Sequence, residues 1–434
     1  MMSDPSTLLG AALLVLALFM SGMPIFLAFL SINLAGVAIL LGPKAFGMLA
    51  NSLFSTTTNA QLTAIPLFVL MGEIMFRSGA AHLLFEAVDR FVGRVRGRQY
   101  VLAGVLSTIF GALSGSNMAV AAMMARSIYP GMVQRGYDRT LSIGMILGGA
   151  SLAPIIPPSV LVIIIATLAN VSVAGLLVAG VLPGLLLAAL FIGYAMLRIA
   201  LNPRLAPPAL APDVRISVLR AVIHCVPFAV LIALVVGLIL LGVATPSESA
   251  AIGVSGAVVI AALFRQLSIA LILSALRSAA LMTAMILIIM ASSTLFSQLL
   301  AISGASRLIT ALVSGLDLAP WLMILAMMAM VFAFCLFVDQ VAVMMIVIPI
   351  YLPLINVLGL DPLWFWLLML LNVTVGGITP PFGYAMFAFR GAAPDVAMSD
   401  LYRASIAFVG LFLMAMLIVA AVPSLATWLP GLLR

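Results

Sequence analysis

Leu147-Gly-Gly-Ala-Ser-Leu-Ala-Pro-Ile-Ile-Pro-Pro-Ser159 and Val375-Gly-Gly-Ile-Thr-Pro-Pro-Phe-Gly383 each place two glycines and a diproline inside an apolar run long enough to cross a bilayer. In hydrocarbon an unpaired backbone group costs several kcal/mol, so an interruption there needs a reason. Prolines remove N–H donors and glycines loosen the helix. Both runs therefore read as broken helices whose freed carbonyls and new helix N-terminus face an interior cavity. Paired interruptions at corresponding places in two halves of a membrane chain point to the binding site of a secondary transporter.

The rest of the composition agrees with a membrane chain. Of 434 residues, 65% are hydrophobic and 7% charged, which excludes a soluble domain and predicts an all-α polytopic membrane protein in contact with the lipid bilayer. The net charge of +7 is spread among spans and gives no sign of a nucleic-acid partner. Cys225 and Cys335 both lie in apolar runs, so no disulfide framework is expected. The N-terminus carries Asp4 and no basic region before its apolar run, and reads as a retained span rather than a signal peptide.

Around the first diproline, spanning runs are expected at about Thr7 to Ser21, Pro24 to Leu41, Ile65 to Phe76 and Val173 to Leu197. The charged stretch Glu86 to Arg98 is expected on a membrane surface. Residues 101–130 are apolar but split at their centre by Gly111-Ala-Leu-Ser-Gly-Ser-Asn117. Neither half is long enough to span, which predicts a re-entrant helical hairpin with a protein-buried polar tip. A broken helix over about 140–169 follows.

Residues 201–220, rich in proline, form the expected cytoplasmic linker and divide the chain near its midpoint. Landmarks then recur in order. Pro24 pairs with Pro246, Ser78 with Ser303, Tyr129 with Tyr351, Pro130 with Pro353 and Pro157 with Pro380, at offsets of 222, 225, 222, 223 and 223 residues. Residues 1–200 and 221–434 are therefore read as two repeats. The second has spans at about Val222 to Leu241, Pro246 to Leu263, Leu273 to Ile302 and Ser405 to Val422. It also has a hairpin over about 321–350 tipped by Asp339-Gln340, and a broken helix over about 363–390. Five crossings in each half make the repeat inverted. With the N-terminus on the periplasmic side, only Lys44, Arg307 and Arg434 of the 19 basic residues fall outside, as the positive-inside rule requires.

Two hairpin tips and two helix breaks then meet near mid-membrane. Unwound carbonyls with Ser114, Ser116, Asn117, Ser159 and Thr379 can coordinate Na+, and half-helix N-termini can receive a carboxylate. A different reading of the same serines and glycines is close helix packing. Asp339 is either retained for an ion or proton, since a central carboxylate costs about 2.5 to 3.5 kcal/mol on insertion scales, or sits at a hairpin mouth reached by water. Arg390 either attracts an organic anion or snorkels from a helix end. Glu248 reads as a capping-box residue of Thr245-Pro-Ser-Glu248, and Glu73 with Arg77 as a helix pair. His82 and His224 have no partners at metal spacing. Ser114-Gly115 lacks the preceding glycine and the histidine of an intramembrane serine protease, and no phosphate-binding loop with its lysine is present. An enzyme is not expected.

These residues resemble the large membrane subunit of the tripartite ATP-independent periplasmic (TRAP) transporters. The resemblance runs through Ile65-Pro-Leu-Phe-Val-Leu-Met-Gly72, Gly111-Ala-Leu-Ser-Gly-Ser116, Gly136-Tyr137, Ile156-Pro-Pro-Ser159, Thr245-Pro-Ser-Glu248 and Thr379-Pro-Pro-Phe-Gly383. It implies an inverted-repeat elevator fold in the bacterial inner membrane. It also implies Na+ coupling through at least two sites, a small four-span membrane subunit, and a periplasmic substrate-binding protein delivering an organic acid. By resemblance, Ser114, Ser116 and Asn117 with the Pro157 break form one Na+ site, and Asp339, Gly376, Thr379 and Gly383 the other. Ser116, Asn117, Ser159, Thr379 and Arg390 are the candidate substrate contacts. The chain departs from the family pattern at Gly148-Gly-Ala-Ser-Leu-Ala-Pro154 and at Phe389-Arg-Gly-Ala-Ala-Pro394, so the expected substrate stays broad. The other readings are a self-sufficient sodium/dicarboxylate symporter without partner subunits and a passive anion channel, which would need an open polar lumen.

Overall fold

The structure is a computed structural model that describes residues 17–18, 23–93, 95–208, 217–305, 308, 311 and 319–432. Most of the first expected span, the middle of the linker, Arg307 and Arg434 lie outside the described residues.

Every regular element among the described residues is helical. The first half contains α1 (Ile25–Leu40), α2 (Gly47–Thr57), α3 (Ala64–Arg77) and α4 (Ala80–Val92). A helix pair follows, α5 (Arg98–Ser114) and α6 (Asn117–Ser127), continued by the short α7 (Tyr129–Gln134). Then come α8 (Arg139–Ala150) and α9 (Val160–Leu168) on either side of the first diproline, with α10 (Val173–Ala179) and α11 (Val181–Leu201) after them. In the second half, α12 (Val218–Leu240), α13 (Pro246–Leu263) and α14 (Ile269–Ser303) precede a second helix pair, α15 (Pro320–Cys335) and α16 (Gln340–Val357). The second diproline lies between α17 (Pro362–Gly376) and α18 (Tyr384–Ala392), and α19 (Met398–Ala421) and α20 (Ser424–Gly431) close the chain.

Seven stretches among the described residues are long and apolar enough to cross a membrane: 60–77, 173–201, α12, α13, α14, α16 and α19. Local chemistry sets where helices begin. Asp138 accepts from the Leu141 N–H at 2.8 Å and starts α8, and Asp361 does the same for Trp364 at 2.8 Å and α17. At α13 the Thr245 hydroxyl caps the Glu248 N–H while Glu248 accepts from the Thr245 N–H at 2.8 Å, the reciprocal capping box its spacing predicts. Glu73 and Arg77 pair at 2.6 Å, and Arg77 reaches on to the Ser278 hydroxyl at 2.8 Å, so this pair also ties α3 to α14.

Burial runs from the inside out. In α17 every residue from Trp364 to Gly376 is buried, and so is almost everything from Leu141 to Ile155. The helices that flank the diprolines are thus the middle of the molecule. By contrast α12 shows Leu219, Ile223 and Val230 on its surface, and α14 shows Leu281 and Met285. Apolar side chains facing outward are what a lipid solvent selects. Close packing at the centre depends on small residues: a Cβ on Gly144 or Gly148 would lie 2.4 Å from the Phe408 ring, so these glycines let α8 and α19 meet.

Two expected spans gain detail and one local expectation changes. The run from Val173 is one span interrupted at a single residue, Gly180, which sits against the Ile155 carbonyl of the first break, leaving no room for a Cβ. The third span of the second half is a single 35-residue helix, α14, about 52 Å long at 1.5 Å per residue and so longer than the hydrocarbon thickness. The charged stretch before α5 is not wholly superficial, because Asp89 and Arg98 are buried and form an ion pair. Beside it Arg96 donates to the Pro203 carbonyl at 2.5 Å and the Tyr100 hydroxyl to Leu205 at 2.8 Å, which straps the start of the linker onto the foot of α5.

A buried pair that loses one partner leaves an uncompensated charge. Asp89→Ala is expected to lower stability by about 3 kcal/mol, read as a drop in thermal unfolding temperature in detergent. The Asp89→Leu/Arg98→Leu double variant is expected to regain much of that loss, and an equally damaged double variant would show that the charge pairing is not the cause.

Candidate functional site

The first helix pair turns through Gly115 and Ser116. Gly115 holds φ +61°, a left-handed conformation that suits glycine, and ends α5. Ser116 then caps α6, its hydroxyl accepting from the Ala119 N–H at 3.4 Å, while its own N–H points to Ser114 Oγ at 3.4 Å. Asn117 opens α6 and is buried.

This turn lies against the first break. A Cβ on Gly115 would be 3.3 Å from the Pro158 carbonyl oxygen, and one on Gly111 would be 3.0 Å from Ala153 Cα. The break covers residues 151–159, with a cis bond between Pro157 and Pro158. Ser159 is fully buried and caps α9: its hydroxyl donates to the Pro154 carbonyl at 2.6 Å and accepts from the Val162 N–H at 3.3 Å. Pro154, the additional proline of this break, therefore supplies the acceptor that holds the cap.

The second set is built alike. Asp339 caps α16 by accepting from the Val341 N–H at 2.9 Å. The α15–α16 turn abuts the second break, since a Cβ on Gly376 would lie 2.4 Å from Cys335 Cβ. That break covers residues 377–383 and contains the cis Pro380–Pro381 bond. Thr379 is buried and donates back to the Val375 carbonyl at 2.7 Å, and Gly383 N–H bonds the Thr379 carbonyl at 3.1 Å.

One side chain joins the two sets. The Tyr384 hydroxyl accepts from Asn117 Nδ2 at 2.8 Å and donates to Gln340 Oε1 at 2.5 Å. A residue at the second break thus bridges the first turn and the second, and α18 packs along α6. Asn117, Asp339, Gly383 and the Pro157 break are in this way brought into one region. Arg390 is not, for it is exposed in the last turn of α18. Sequence reading missed Tyr384 and the role of Gln340. The available signal was a tyrosine directly after Gly383, because a phenol inside an apolar run needs a hydrogen-bond partner.

The donor set is oxygen-rich. No group of three or more His, Cys, Asp or Glu that could hold a metal occurs among the described residues. The carbonyls, hydroxyls and amide oxygens of the breaks and turns are hard ligands, suited to an alkali cation rather than to a transition metal.

The sequence profile described as "Tripartite ATP-independent periplasmic transporter, DctM component" matches residues 12–425. The chain belongs to this family. It is 30% identical over 406 residues to the C4-dicarboxylate TRAP transporter large permease protein DctM of Pseudomonas aeruginosa, covering 92% of this chain and 94% of that protein. It is 28% identical over 419 residues to the ectoine TRAP transporter large permease protein TeaC of Halomonas elongata, covering 96% and 97%. In fold it is similar to the YdaH transporter of Alcanivorax borkumensis, with a TM-score of 0.65 at 16% identity over 94% of this chain and 97% of that one. As a TRAP large permease, the chain is a multi-pass membrane subunit for solute transport.

Tyr384→Phe keeps the ring and removes the bridge, leaving the buried Asn117 amide without its acceptor. It is expected to destabilise the protein by about 1 to 3 kcal/mol, measured by thermal unfolding. Asn117→Leu in the Tyr384→Phe background should recover part of this, as the stranded amide is then gone; a further, fully additive loss would mean that Asn117 and Tyr384 are not coupled.

Proposed function

We propose that this chain is the large permease subunit of a Na+-coupled importer of an organic acid in the bacterial inner membrane. In this reading the two halves are inverted repeats, the N-terminus is periplasmic, and α5–α6 and α15–α16 are re-entrant hairpins entering from opposite faces. With the two broken helices they make a transport block that slides as an elevator against the remaining spans. A small four-span subunit enlarges the fixed part and a periplasmic binding protein delivers the solute. The names of relatives, ectoine and C4-dicarboxylate permeases, support a small solute bearing a carboxylate.

The observation that carries the reading is the Asn117–Tyr384–Gln340 bridge. It holds two helix turns and two breaks around one oxygen-lined region, which is where a cation and an anion could be bound together. Na+ held by Ser114, Ser116, Asn117 and the Pro157 break, and by Asp339, Gly376, Thr379 and Gly383, would order both turns. The N–H groups at the starts of α6, α9, α16 and α18 would then meet the carboxylate, with Ser159 and Thr379 beside it. A cation and an anion bound together leave the moving block close to neutral, and only that state crosses hydrocarbon cheaply.

The test is uptake into proteoliposomes holding this chain, with and without its small subunit and binding protein, under an imposed Na+ gradient. Uptake is expected only with all three components and inward-directed Na+. Uptake by this chain alone would support the self-sufficient symporter. Asp339→Asn is expected to raise the Na+ concentration for half-maximal uptake by about tenfold or more, the scale of one lost charged ligand contact. An unchanged Na+ dependence would remove Asp339 from the cation site.

A further inference from the structure

A polar cavity of about 300 Å³ opens between the end of α2, the last turn of α9, α14 and α16. It is set apart from the turns and breaks. Thr167 in its wall is eight residues beyond Ser159, about 12 Å along α9, and Pro349 is nine residues beyond Gln340, about 14 Å along α16. Ser293 donates to the Met345 carbonyl at 2.7 Å and pins α14 to α16 at its edge.

Several of its polar groups are uncommitted. Asn59 uses its side-chain oxygen to accept the Gln61 N–H at 2.9 Å, and Gln298 uses its oxygen to accept the Ser52 hydroxyl at 3.5 Å. Among the described residues neither NH2 group donates a hydrogen bond, Asn59 being half-buried and Gln298 exposed. Thr167 Oγ1 is buried and has no hydrogen-bond partner. A buried hydroxyl without a partner is a standing destabilisation that a bound ligand relieves. The described lining contains no Lys, Arg, Asp or Glu, so what it offers is a set of neutral donors without a counter-charge.

Neutral donors lining a cavity at the small end of ligand pockets suit the oxygens of a small carboxylate or sulfonate. The absence of lysine and arginine from the described lining disfavours a lipid phosphate, which recruits cations. A site of this kind binds weakly, which is what a carrier needs in front of its main site: favourable enough to enter and weak enough to leave. We infer that the cleft between α2, α9, α14 and α16 is a second, outer subsite where the transported acid is held by Asn59, Thr167 and Gln298 before it reaches the turns and breaks. This assignment rests on the transport reading above. The cleft also lies between α9 and α16, which belong to the proposed moving block, and α2 and α14, which belong to the proposed fixed part, so a stroke would dismantle it and release what it holds.

The test is protection from labelling. Ser297→Cys places a thiol in the cleft wall of the full chain, and its modification by a methanethiosulfonate ammonium reagent is followed with succinate, pyruvate or ectoine present, the unsubstituted chain with Cys225 and Cys335 serving as blank. At least one of the three is expected to slow labelling. Asn59→Ala with Gln298→Ala should then raise the half-protecting concentration by about tenfold or more, the size of a lost hydrogen bond to a charged group. Thr167→Val, which keeps the side-chain shape, should raise it by a smaller factor and covers the case in which the double variant misfolds. Uptake of the same three compounds by the complete transporter is measured in parallel. Uptake of a compound that gives no protection overturns the subsite and leaves the transport reading standing. Protection without uptake of any of the three detaches the cleft from the transported solute and overturns it as a subsite on the transport path. Protection unchanged by all of the variants, or neither protection nor uptake, overturns the subsite.

Discussion

In hydrocarbon a peptide group has no water to turn to, and that constraint governs this structure from its centre outward. At residues 151–159 the chain gives up helical pairing in one of the most buried parts of the molecule, and at 377–383 it does so in a segment buried at both ends, Gly377 to Thr379 and Gly383, with Pro381 and Phe382 exposed between them. Each break then repairs itself with bonds no regular helix makes. Ser159 reaches back to the Pro154 carbonyl with its hydroxyl, and Ala385 N–H crosses the second break to the Gly377 carbonyl. A helix turn closes over each break, Gly115 on the Pro158 carbonyl and Cys335 on Gly376. The turns are placed where they are because an open break could not exist in an apolar surrounding without them.

The helices themselves were legible because their signals are local. Apolar runs bounded by Asp138, Asp361 or Thr245 with Glu248 carry their own start sites, and a diproline cannot be passed by an α-helix. Nor could the polar turn at Gly111 to Asn117 be hidden, since an apolar run leaves such residues conspicuous. Less was readable where neighbours decide. That position 180 in the run from Val173 to Leu201 has no room for a side chain follows from the Ile155 carbonyl lying against it, a contact between residues 25 apart in sequence. That Asp89 and Arg98 pair inside the protein rather than face water depends on α4 folding along α5. Charge composition alone predicts a surface there.

The candidate site divides along the same line. Ser116, Ser159 and Asp339 were visible as polar residues at breaks, and all three turn out to cap the helix that follows, using one oxygen and leaving further lone pairs. Capping and ligation are compatible, since the oxygen that fixes a helix N-terminus stands at the place where that terminus offers its remaining N–H groups. Tyr384 was invisible because its meaning lies in its partners. Asn117 is 267 residues away and Gln340 is 44, and no periodicity links the three.

That bridge has a consequence for how the site comes into being. Asn117 belongs to the first half of the chain and Tyr384 and Gln340 to the second, and α18 lies along α6 just as α16 lies along α9. Neither half can therefore assemble the region by itself. Each half does contain its own turn-on-break contact, Gly115 on Pro158 and Gly376 on Cys335, between residues about 40 apart. Contacts across such loops close at an entropic cost about 1.7 kcal/mol lower than one across 267 residues. The local turn-and-break units are thus the parts that can form first, and the phenol of Tyr384 is the group that registers one against the other once both exist. A chemically neutral, uncharged link suits that position, because it lets the two units meet in a dry interior without burying an unpaired charge between them.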